Sequence, residues 1–346
     1  MMLRRLSSTL LAASMFAGCG GIETEPSSEQ VAPASVESQQ APLLTTTDVD
    51  VAPECQGILT FVNTSTYATL DQFLPSNVVT NLVNRRATAP FTSLADLSSV
   101  ALVGEARLKQ IEGGARTRAF IGANCTGIFD DVAISQDDAT AIVSLVNTIS
   151  DSELHDVLPD AWNGAANLLN LRPFTSAPAI ANVTGIGGVS FRNIRNAATL
   201  SRPFEALAAA LTAIPSNGSY GAVMQRHFDW WDVVTANHPY SQGGPTCFGL
   251  EPSSVPYGAY IRPNLANAAE VRAEVNSTLA YVNASAKLPA GVISAGLANL
   301  DARIAGRTFK GCIFSYADDP WSSHSVAIYV DTVNGFSVMT ETWWAE

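Results

Sequence analysis

The sequence predicts a multidomain fold, in which two all-α domains precede an α+β domain with an antiparallel sheet. Three observations predict it. One segment with helical periodicity occurs twice before residue 202. Three late segments instead alternate apolar and polar residues, as strands do. Four cysteines fall as one pair in each of two regions. The predicted domains are residues 55–125, 126–202 and 203–346.

The N-terminal residues predict export. A basic pair, Arg4-Arg5, precedes an apolar run that is too short to cross a bilayer as a mature helix. Residues 1–18 are therefore predicted to be a signal peptide. The stretch FAGC, which ends at Cys19, resembles the lipobox of bacterial lipoproteins. That resemblance implies cleavage before Cys19 and a lipid anchor on its thiol, whereas an ordinary cleaved signal with an incidental cysteine is the alternative.

Residues 19–54 predict a disordered tether. They are rich in Ser, Glu, Gln, Pro, Ala and Thr, with almost no aromatic residues, so they bury too little apolar surface to offset the entropy of ordering. A tether behind a lipidated cysteine would hold a folded part away from a membrane. The expected location is the bacterial cell envelope, at the outer membrane or cell surface.

The charge distribution restricts the partners. A formal net charge of −12 opposes a general affinity for polyanions. Residues 57–118 nevertheless contain six basic residues and only four acidic ones. The acidic excess lies in the tether, in the connector 130–138 and in the C-terminal region.

The cysteines predict disulfides. Without Cys19 an even set remains in a chain that is predicted to be exported, and no pair has the spacing of zinc ligands. Four cysteines permit three pairings. The sequential one gives each region its own disulfide, and each would contribute about 3–4 kcal/mol by closing a long loop. That pairing joins Cys55 to Cys125 and Cys247 to Cys312.

The repeated segment is an internal duplication. VNTSTYATLDQFLP begins at Val62, and VNTISDSELHDVLP begins 84 residues later at Val146. PFTS then occurs at 90–93 and again at 173–176. Each copy predicts two pairs of short helices, with Asn63 or Thr64 as an N-cap. The other identical pairs are Ile58/Ile142, Leu70/Leu154, Leu74/Leu158, Pro75/Pro159, Val100/Val183, Gly104/Gly187 and Ile111/Ile194.

Each copy resembles the helix-hairpin-helix domain of the ComEA type. That family combines Val/Ile-Asn-x-Ala, Leu-Pro-Gly-Ile-Gly, Pro-Phe and a second Pro-Gly-Ile-Gly, and the resemblance covers about residues 56–116 and 140–198. It implies two compact all-helical domains in tandem. In ComEA-like proteins such a domain holds DNA outside the cytoplasmic membrane. In exported relatives of the PsbU type it docks another protein.

The resemblance also implies a set of DNA-contact residues. Hairpin glycines would bring peptide N–H groups close to a phosphate, and nearby basic side chains would add charge. Both first hairpins depart from the family pattern, and Asp160 stands where the family has glycine. Alternatively, the glycines only let a tight turn pack two helices. The implied contacts are Gly185, Ile186, Gly187, Arg192 and Arg195 in the second copy and Gly104, Arg107 and Lys109 in the first.

The C-terminal region predicts an α+β domain. PFEALAAALTAIP and AAEVRAEVNSTLAYVNA have the spacing of amphipathic helices. TFKGCIFSYA, HSVAIYVD and GFSVMTETWW have the alternation and β-branched content of strands. Asn334-Gly335 predicts a hairpin turn between the last two strands.

Three candidate sites arise in this region. His227, Asp229 and Asp232 have metal-binding side chains, but on a helix the first two would point about 200° apart, so a buried amphipathic helix is favoured. Cys247 and His324 lie in segments that resemble NlpC/P60 cysteine hydrolases, although Pro252 and an unpaired Cys312 would oppose that function. The third candidate is a glycan- or peptide-binding face, with a buried core as the alternative; it comprises Tyr316, Trp321, Tyr329, Trp343 and Trp344.

The sequence therefore favours non-enzymatic binding without a metal or cofactor. Three partners are proposed: the backbone of double-stranded DNA, an envelope protein, and a membrane reached through the lipid anchor. Non-specific contact with the DNA backbone is the leading expectation, protein docking without a nucleic-acid ligand is the alternative, and a cysteine hydrolase is a distant third.

Overall fold

The computed structural model describes residues 44–346, apart from residues 217, 237–239, 242–243 and 256–257. These residues belong to one unit that spans Pro42–Glu346. The predicted signal peptide, the lipidation site Cys19 and the tether up to residue 43 lie outside the described residues.

Each copy of the duplicated segment folds into five helices in the same order. This confirms the helical N-terminal part that the periodicity predicts. In the first copy they are α1 (Gly57–Thr64), α2 (Tyr67–Leu70), α3 (Ser76–Thr88), α4 (Leu94–Ser98) and α5 (Glu105–Thr117). In the second they are α6 (Gln136–Thr148), α7 (Asp151–Val157), α8 (Trp162–Leu171), α9 (Ala177–Ala181) and α10 (Gly188–Thr199).

The residues shared by the two copies hold each bundle together. The repeated Ile, Leu and Val side chains are buried in the two cores. The repeated asparagine lies in the first helix of each copy and bonds to both backbone groups of the phenylalanine in PFTS. Asn63 accepts from the N–H of Phe91 at 2.8 Å and donates to its carbonyl at 2.9 Å. Asn147 makes the same pair of bonds to Phe174, at 2.8 and 2.9 Å.

The predicted N-cap of the second helix was therefore wrong. Asn63 and Thr64 end α1, and Thr66 caps α2 by accepting from the N–H of Thr69. Asparagine at this place in the sequence is explained by its contact with the PFTS loop, which lies 28 residues away.

A β-hairpin joins the two copies, so the N-terminal part is not all-α as predicted. Strands β1 (Cys125–Phe129) and β2 (Val132–Ser135) pair antiparallel, with Phe129 opposite Val132. Asp130 and Asp131 form the turn, and Asp130 has a φ of +50°, which Asp tolerates better than most residues. Asp-Asp is not among the Gly-containing dipeptides that mark two-residue hairpin turns, which is why this hairpin is not predicted from the sequence.

Residues 44–52 form an N-terminal strap across both copies, so the predicted tether extends too far along the chain. Val51 pairs with Ala133 of β2, and both Val51 and Ala52 are buried. The carboxylate of Asp138 accepts from the backbone N–H of Thr45 at 2.8 Å and from its hydroxyl at 2.6 Å. The low-complexity composition concealed these contacts because they depend on residues more than 80 positions away.

The C-terminal part is an α+β domain, as predicted. The helices are α11 (Arg202–Thr212), α12 (Trp230–Thr235), α13 (Ala268–Tyr281), α14 (Ala284–Lys287) and α15 (Ala290–Ile304). The strands are β3 (Tyr220–Gln225), β4 (Tyr240–Ser241), β5 (Thr246–Phe248), β6 (Tyr260–Arg262), β7 (Ala266–Asn267), β8 (Thr308–Ala317), β9 (Ser322–Asp331) and β10 (Ser337–Ala345). They form an eight-stranded sheet with the main order β3-β10-β9-β8-β5-β6, while β4 and β7 pair with β8. The sheet is antiparallel except between β5 and β6.

Both faces of this sheet are buried over part of their area. One face packs against α11, α13 and α15 through apolar side chains that include Phe204, Val271 and Leu300. The opposite face packs against α12 around the disulfide between Cys247 and Cys312. Among the described residues no helix has the length and apolar character needed to cross a membrane.

The second copy contacts the C-terminal domain through α7. The ammonium group of Lys310 on β8 bonds to the carboxylate of Asp156. His227, which follows β3, bonds to Glu153 at 2.5 Å. Gly335 in the β9–β10 turn lies against the same helix, because a Cβ at Gly335 would come within 2.6 Å of backbone atoms of residues 156 and 157.

Candidate functional site

The glycine turn before α10 is built for packing. Gly185 has a φ of +92°, and a Cβ there would lie 2.9 Å from backbone atoms of Gly164 in α8. Gly187 caps α10 with an extended φ of −120°, which any residue adopts, and a Cβ there would meet nothing within 4 Å. The N–H of Ile186 donates to the carbonyl of Val183 at 2.9 Å. Of the two glycines, only Gly185 is required by its conformation.

Carboxylates surround the start of α10. A Cβ on Gly188 would lie 3.2 Å from the Cβ of Asp130 and 3.8 Å from a carboxylate oxygen of Asp131. Burial raises the pKa of Asp130, and the negative charges of Glu105 and Asp131 raise it further. Because Glu105 is the first residue of α5, these acids lie near the second hairpins of both copies. Negative charge at this place opposes the approach of a phosphate.

The two arginines of α10 bind the N-terminal strap. Arg192 donates from Nε to a carboxylate oxygen of Asp48 at 2.8 Å. The side chain of Arg195 is only 1% exposed and donates to the backbone carbonyls of Thr47 and Val49. Burial lowers the pKa of Arg195, while the charges of Asp138 and Asp48 oppose that shift. Both arginines therefore have internal partners in this structure.

The predicted contacts of the first copy are also largely internal. Gly104 caps α5 with an extended φ of −115°. Lys109 donates to the carbonyl of Ile128, and its ammonium nitrogen lies 4.6 Å from the ring centroid of Phe129. Arg107 bonds to a neutral partner, the side-chain oxygen of Gln110, at 2.7 Å.

Both predicted disulfides are confirmed. Cys55 bonds to Cys125, and Cys247 bonds to Cys312. Two disulfides fit an exported protein.

The Cys247–His324 dyad is not assembled. The sulfur of Cys247 is part of the disulfide, so no thiolate is available. Cys247 on β5 lies opposite Cys312 on β8. His324 on β9 lies opposite Tyr316, which is four residues further along β8. Because a strand rises about 3.3 Å per residue, the positions of Cys312 and Tyr316 are about 13 Å apart along β8. His324 instead bonds to Glu341 at 2.7 Å and stacks on Tyr316, with ring centroids 4.5 Å apart.

The three candidate metal ligands have separate structural contacts. α12 begins only at Trp230, so His227 and Asp229 precede it rather than lying on a helix. Asp229 caps α12 by accepting from the backbone N–H groups of Trp231 and Asp232. No group of three metal-binding side chains occurs within the part of the chain that the structure describes.

The predicted aromatic face is divided. Tyr329 is 2% exposed and belongs to the core. Trp343 and Trp344 are adjacent on β10, so their side chains point to opposite faces of the sheet. Trp321 is 64% exposed but precedes β9. Tyr316 and Trp343 both stack on His324, with ring centroids 4.5 and 6.3 Å from it, but the buried Tyr329 and the oppositely directed Trp344 are not part of that row.

A groove between the second copy and the C-terminal domain is the best candidate site. It has a volume of about 400 Å³, and its walls come from α7, α8, β8 and the start of α12. The groove is not evident from the sequence, because its aromatic residues lie in two distant segments, LPDAW and HFDWWD. The lining residues are Asp151, Ser152, His155, Asp156, Trp162, Asp229, Trp230, Trp231 and Lys310.

Two tryptophan side chains that line the groove are exposed to solvent. The indole of Trp162 stacks on His155 with ring centroids 3.6 Å apart, yet Trp162 remains 64% exposed. Nε2 of His155 lies 3.0 Å from the carboxylate of Asp151. Trp231 is 42% exposed and meets Trp230 edge to face. Large exposed indoles of this kind are enriched at binding surfaces.

Acidic side chains give the groove a negative charge. Three of its lining residues are carboxylates, Asp151, Asp156 and Asp229, against one lysine. Burial raises the pKa of Asp156, and the ammonium group of Lys310 opposes that rise. Lys310 also lies 5.8 Å from the ring centroid of Trp230.

In comparisons with known proteins, no family model, curated protein or solved structure matches this chain. The assignment of a function therefore depends on the geometry of these sites.

Proposed function

We propose that this protein is an exported, non-enzymatic docking protein of the bacterial cell envelope. Its two helical copies are helix-hairpin-helix domains of the ComEA type that serve as a scaffold, and a lipid on Cys19 anchors the chain to a membrane. The groove around Trp162 is the docking site for another protein. The two disulfides support export, because such bonds persist in oxidising compartments.

One contrast between the two candidate surfaces carries this proposal. Arg192 and Arg195, which would bind phosphate, are bonded to the protein's own strap. Trp162 is 64% exposed beside a negatively charged groove. A solvent-exposed indole at the rim of a groove favours binding of a partner, since it loses apolar exposure only when a partner covers it.

Docking is also favoured over the two alternatives from the sequence. Carboxylates at the start of α10 disfavour a phosphate ligand. The disulfide at Cys247 removes the thiol that a cysteine hydrolase would need.

Site-specific photo-crosslinking on intact cells tests this proposal. A photoreactive amino acid replaces Trp162 in one variant and Trp321 in the other, which is a matched control because both indoles are 64% exposed. We expect one discrete protein adduct at position 162, at least several-fold stronger than at 321. Its identity is established by mass spectrometry, and the purified partner should reproduce the adduct. Equal labelling at the two positions, or none, would contradict docking through the groove.

A further inference from the structure

The groove already holds one cation in a defined way. The ammonium group of Lys310 bonds to Asp156 and lies 5.8 Å from the ring centroid of Trp230. A carboxylate and an aromatic ring acting together are a general recognition element for a positive charge. The side chain of Lys310 is only 25% exposed, so this element lies at the inner end of the groove rather than at its rim.

At the open side of the groove, a second carboxylate and a second indole both contact the imidazole of His155. Trp162 has one ring face stacked on His155, and the residue is 64% exposed. The carboxylate of Asp151, bonded to His155, is 73% exposed. His155 thus lies between Asp151 and Trp162 as Lys310 lies between Asp156 and Trp230, but here the outer side of the indole and the carboxylate remain exposed to solvent.

Charge complementarity indicates the class of ligand. The lining carboxylates outnumber the lining lysine by three to one, and the whole chain has a net charge of −12. A planar guanidinium both stacks on aromatic faces and donates to a carboxylate in a fork, which a neutral group cannot do. The groove volume of about 400 Å³ accommodates an extended side chain and its backbone.

We propose that the groove binds an arginine side chain of a basic peptide segment on the docking partner. The guanidinium stacks on the open side of Trp162 and donates to Asp151. This inference rests on the docking function proposed above and adds the chemistry of the ligand.

Titration calorimetry of the full chain with a capped tri-arginine peptide tests it. The matched peptide carries citrulline at all three positions, which keeps the shape and removes the charge. We expect the arginine peptide to bind and its affinity to fall as salt rises. Trp162→Ala and Asp151→Asn should each weaken binding by about 5- to 30-fold. Trp321→Ala removes an indole of equal exposure elsewhere and should leave the affinity unchanged.

Three results would overturn the inference. One is equal affinity for the citrulline peptide, and a second is an equal loss from Trp321→Ala. The third is binding of a neutral chitotriose probe, but not of the arginine peptide, in a manner that Trp162→Ala abolishes; the groove would then be a glycan site. Unchanged thermal midpoints for the variants exclude unfolding as the cause. If the peptide fails to bind while crosslinking at position 162 succeeds, docking stands and the ligand class is wrong.

Discussion

Leu102 and Gly185 occupy the same place in their copies, two residues before the glycine that caps the last helix. Both adopt a left-handed backbone, with φ of +71° and +92°. For a residue with a Cβ this conformation costs about 1–2 kcal/mol. The first copy therefore retains the turn at the expense of strain, while the second copy uses glycine and packs more closely.

Exchange of these residues should change stability in opposite directions. Leu102→Gly should raise the free energy of unfolding by about 1 kcal/mol, because the relief of strain exceeds the entropic cost of glycine. Gly185→Ala should lower it by about 2 kcal/mol or more, because its Cβ would also crowd Gly164. Urea titration of each variant measures both changes. Equal and small effects at the two positions would show that the turns are not strained as described.

The repeated asparagine makes a second prediction at the residue scale. Asn147→Ala should lower the free energy of unfolding by about 2–3 kcal/mol, because it leaves the N–H and carbonyl of buried Phe174 without their partner. Asn163→Ala is the control, since Asn163 is exposed on α8, and it should change stability by less than about 0.5 kcal/mol. Chemical denaturation monitored by circular dichroism gives both values. A loss no larger than that of the control would show that the contact contributes little.

At the scale of elements, His227 links the second copy to the C-terminal domain. Nδ1 lies 2.5 Å from Glu153 on α7, and Nε2 lies 3.5 Å from Glu205 on α11. Burial and the charge of Arg226 disfavour protonation, but the hydrogen bonds to the two glutamates outweigh them and raise the pKa of His227. The histidine therefore joins two carboxylates from different parts of the chain when it carries a proton.

This arrangement predicts a pH-dependent contact. Because the pKa of His227 is raised above its ordinary value of 6.5, its stabilisation is fully present below that pH. It is lost as the pH rises through the raised pKa of the folded state. Thermal midpoints of the wild type should exceed those of His227→Gln at acidic pH, and the difference should shrink towards alkaline pH. A difference that is constant or grows with pH would contradict the assignment.

The sequence could predict elements whose signals are local or repeated. The duplication predicted two equivalent helical bundles, because the same residues form both cores. Alternation predicted β8, β9 and β10, which are long enough to show it. The groove could not be predicted, because Trp162 and Trp231 are brought together only by packing between domains. The hydrogen bonds of Arg195 to the strap could not be predicted either, because its partners precede it by more than 140 residues.

At the scale of the whole molecule, the N-terminal strap unites the two helical copies. Asp50 accepts from the N–H of Ala95 in α4, while Asp48 binds Arg192 in α10. The strap also supplies the carbonyl partners of buried Arg195. Without the strap, the buried guanidinium of Arg195 would lose these hydrogen-bond acceptors. A buried charge without partners strongly destabilises the folded state.

Truncation separates the strap from the tether. A chain that begins at Pro42 retains residues 44–52, and its free energy of unfolding should equal that of the longer protein. A chain that begins at Pro53 should lose about 3–5 kcal/mol, the cost of removing the partners of a buried charge. Urea titration of both purified chains measures the difference. Equal stability of the two would mean that the strap is part of the tether after all.

Retention on immobilised duplex DNA tests the central claim most directly. That claim is that the hairpin residues of the two copies stabilise the fold, whereas the groove binds a partner. We predict that the full chain is not retained on the DNA column even at low salt, and that the Gly187→Asp variant is not retained either. That variant is a suitable control because position 187 has an extended backbone and open space for a side chain. Retention that falls steeply with salt and is abolished by Gly187→Asp would contradict the account and establish the hairpin turn as a phosphate site.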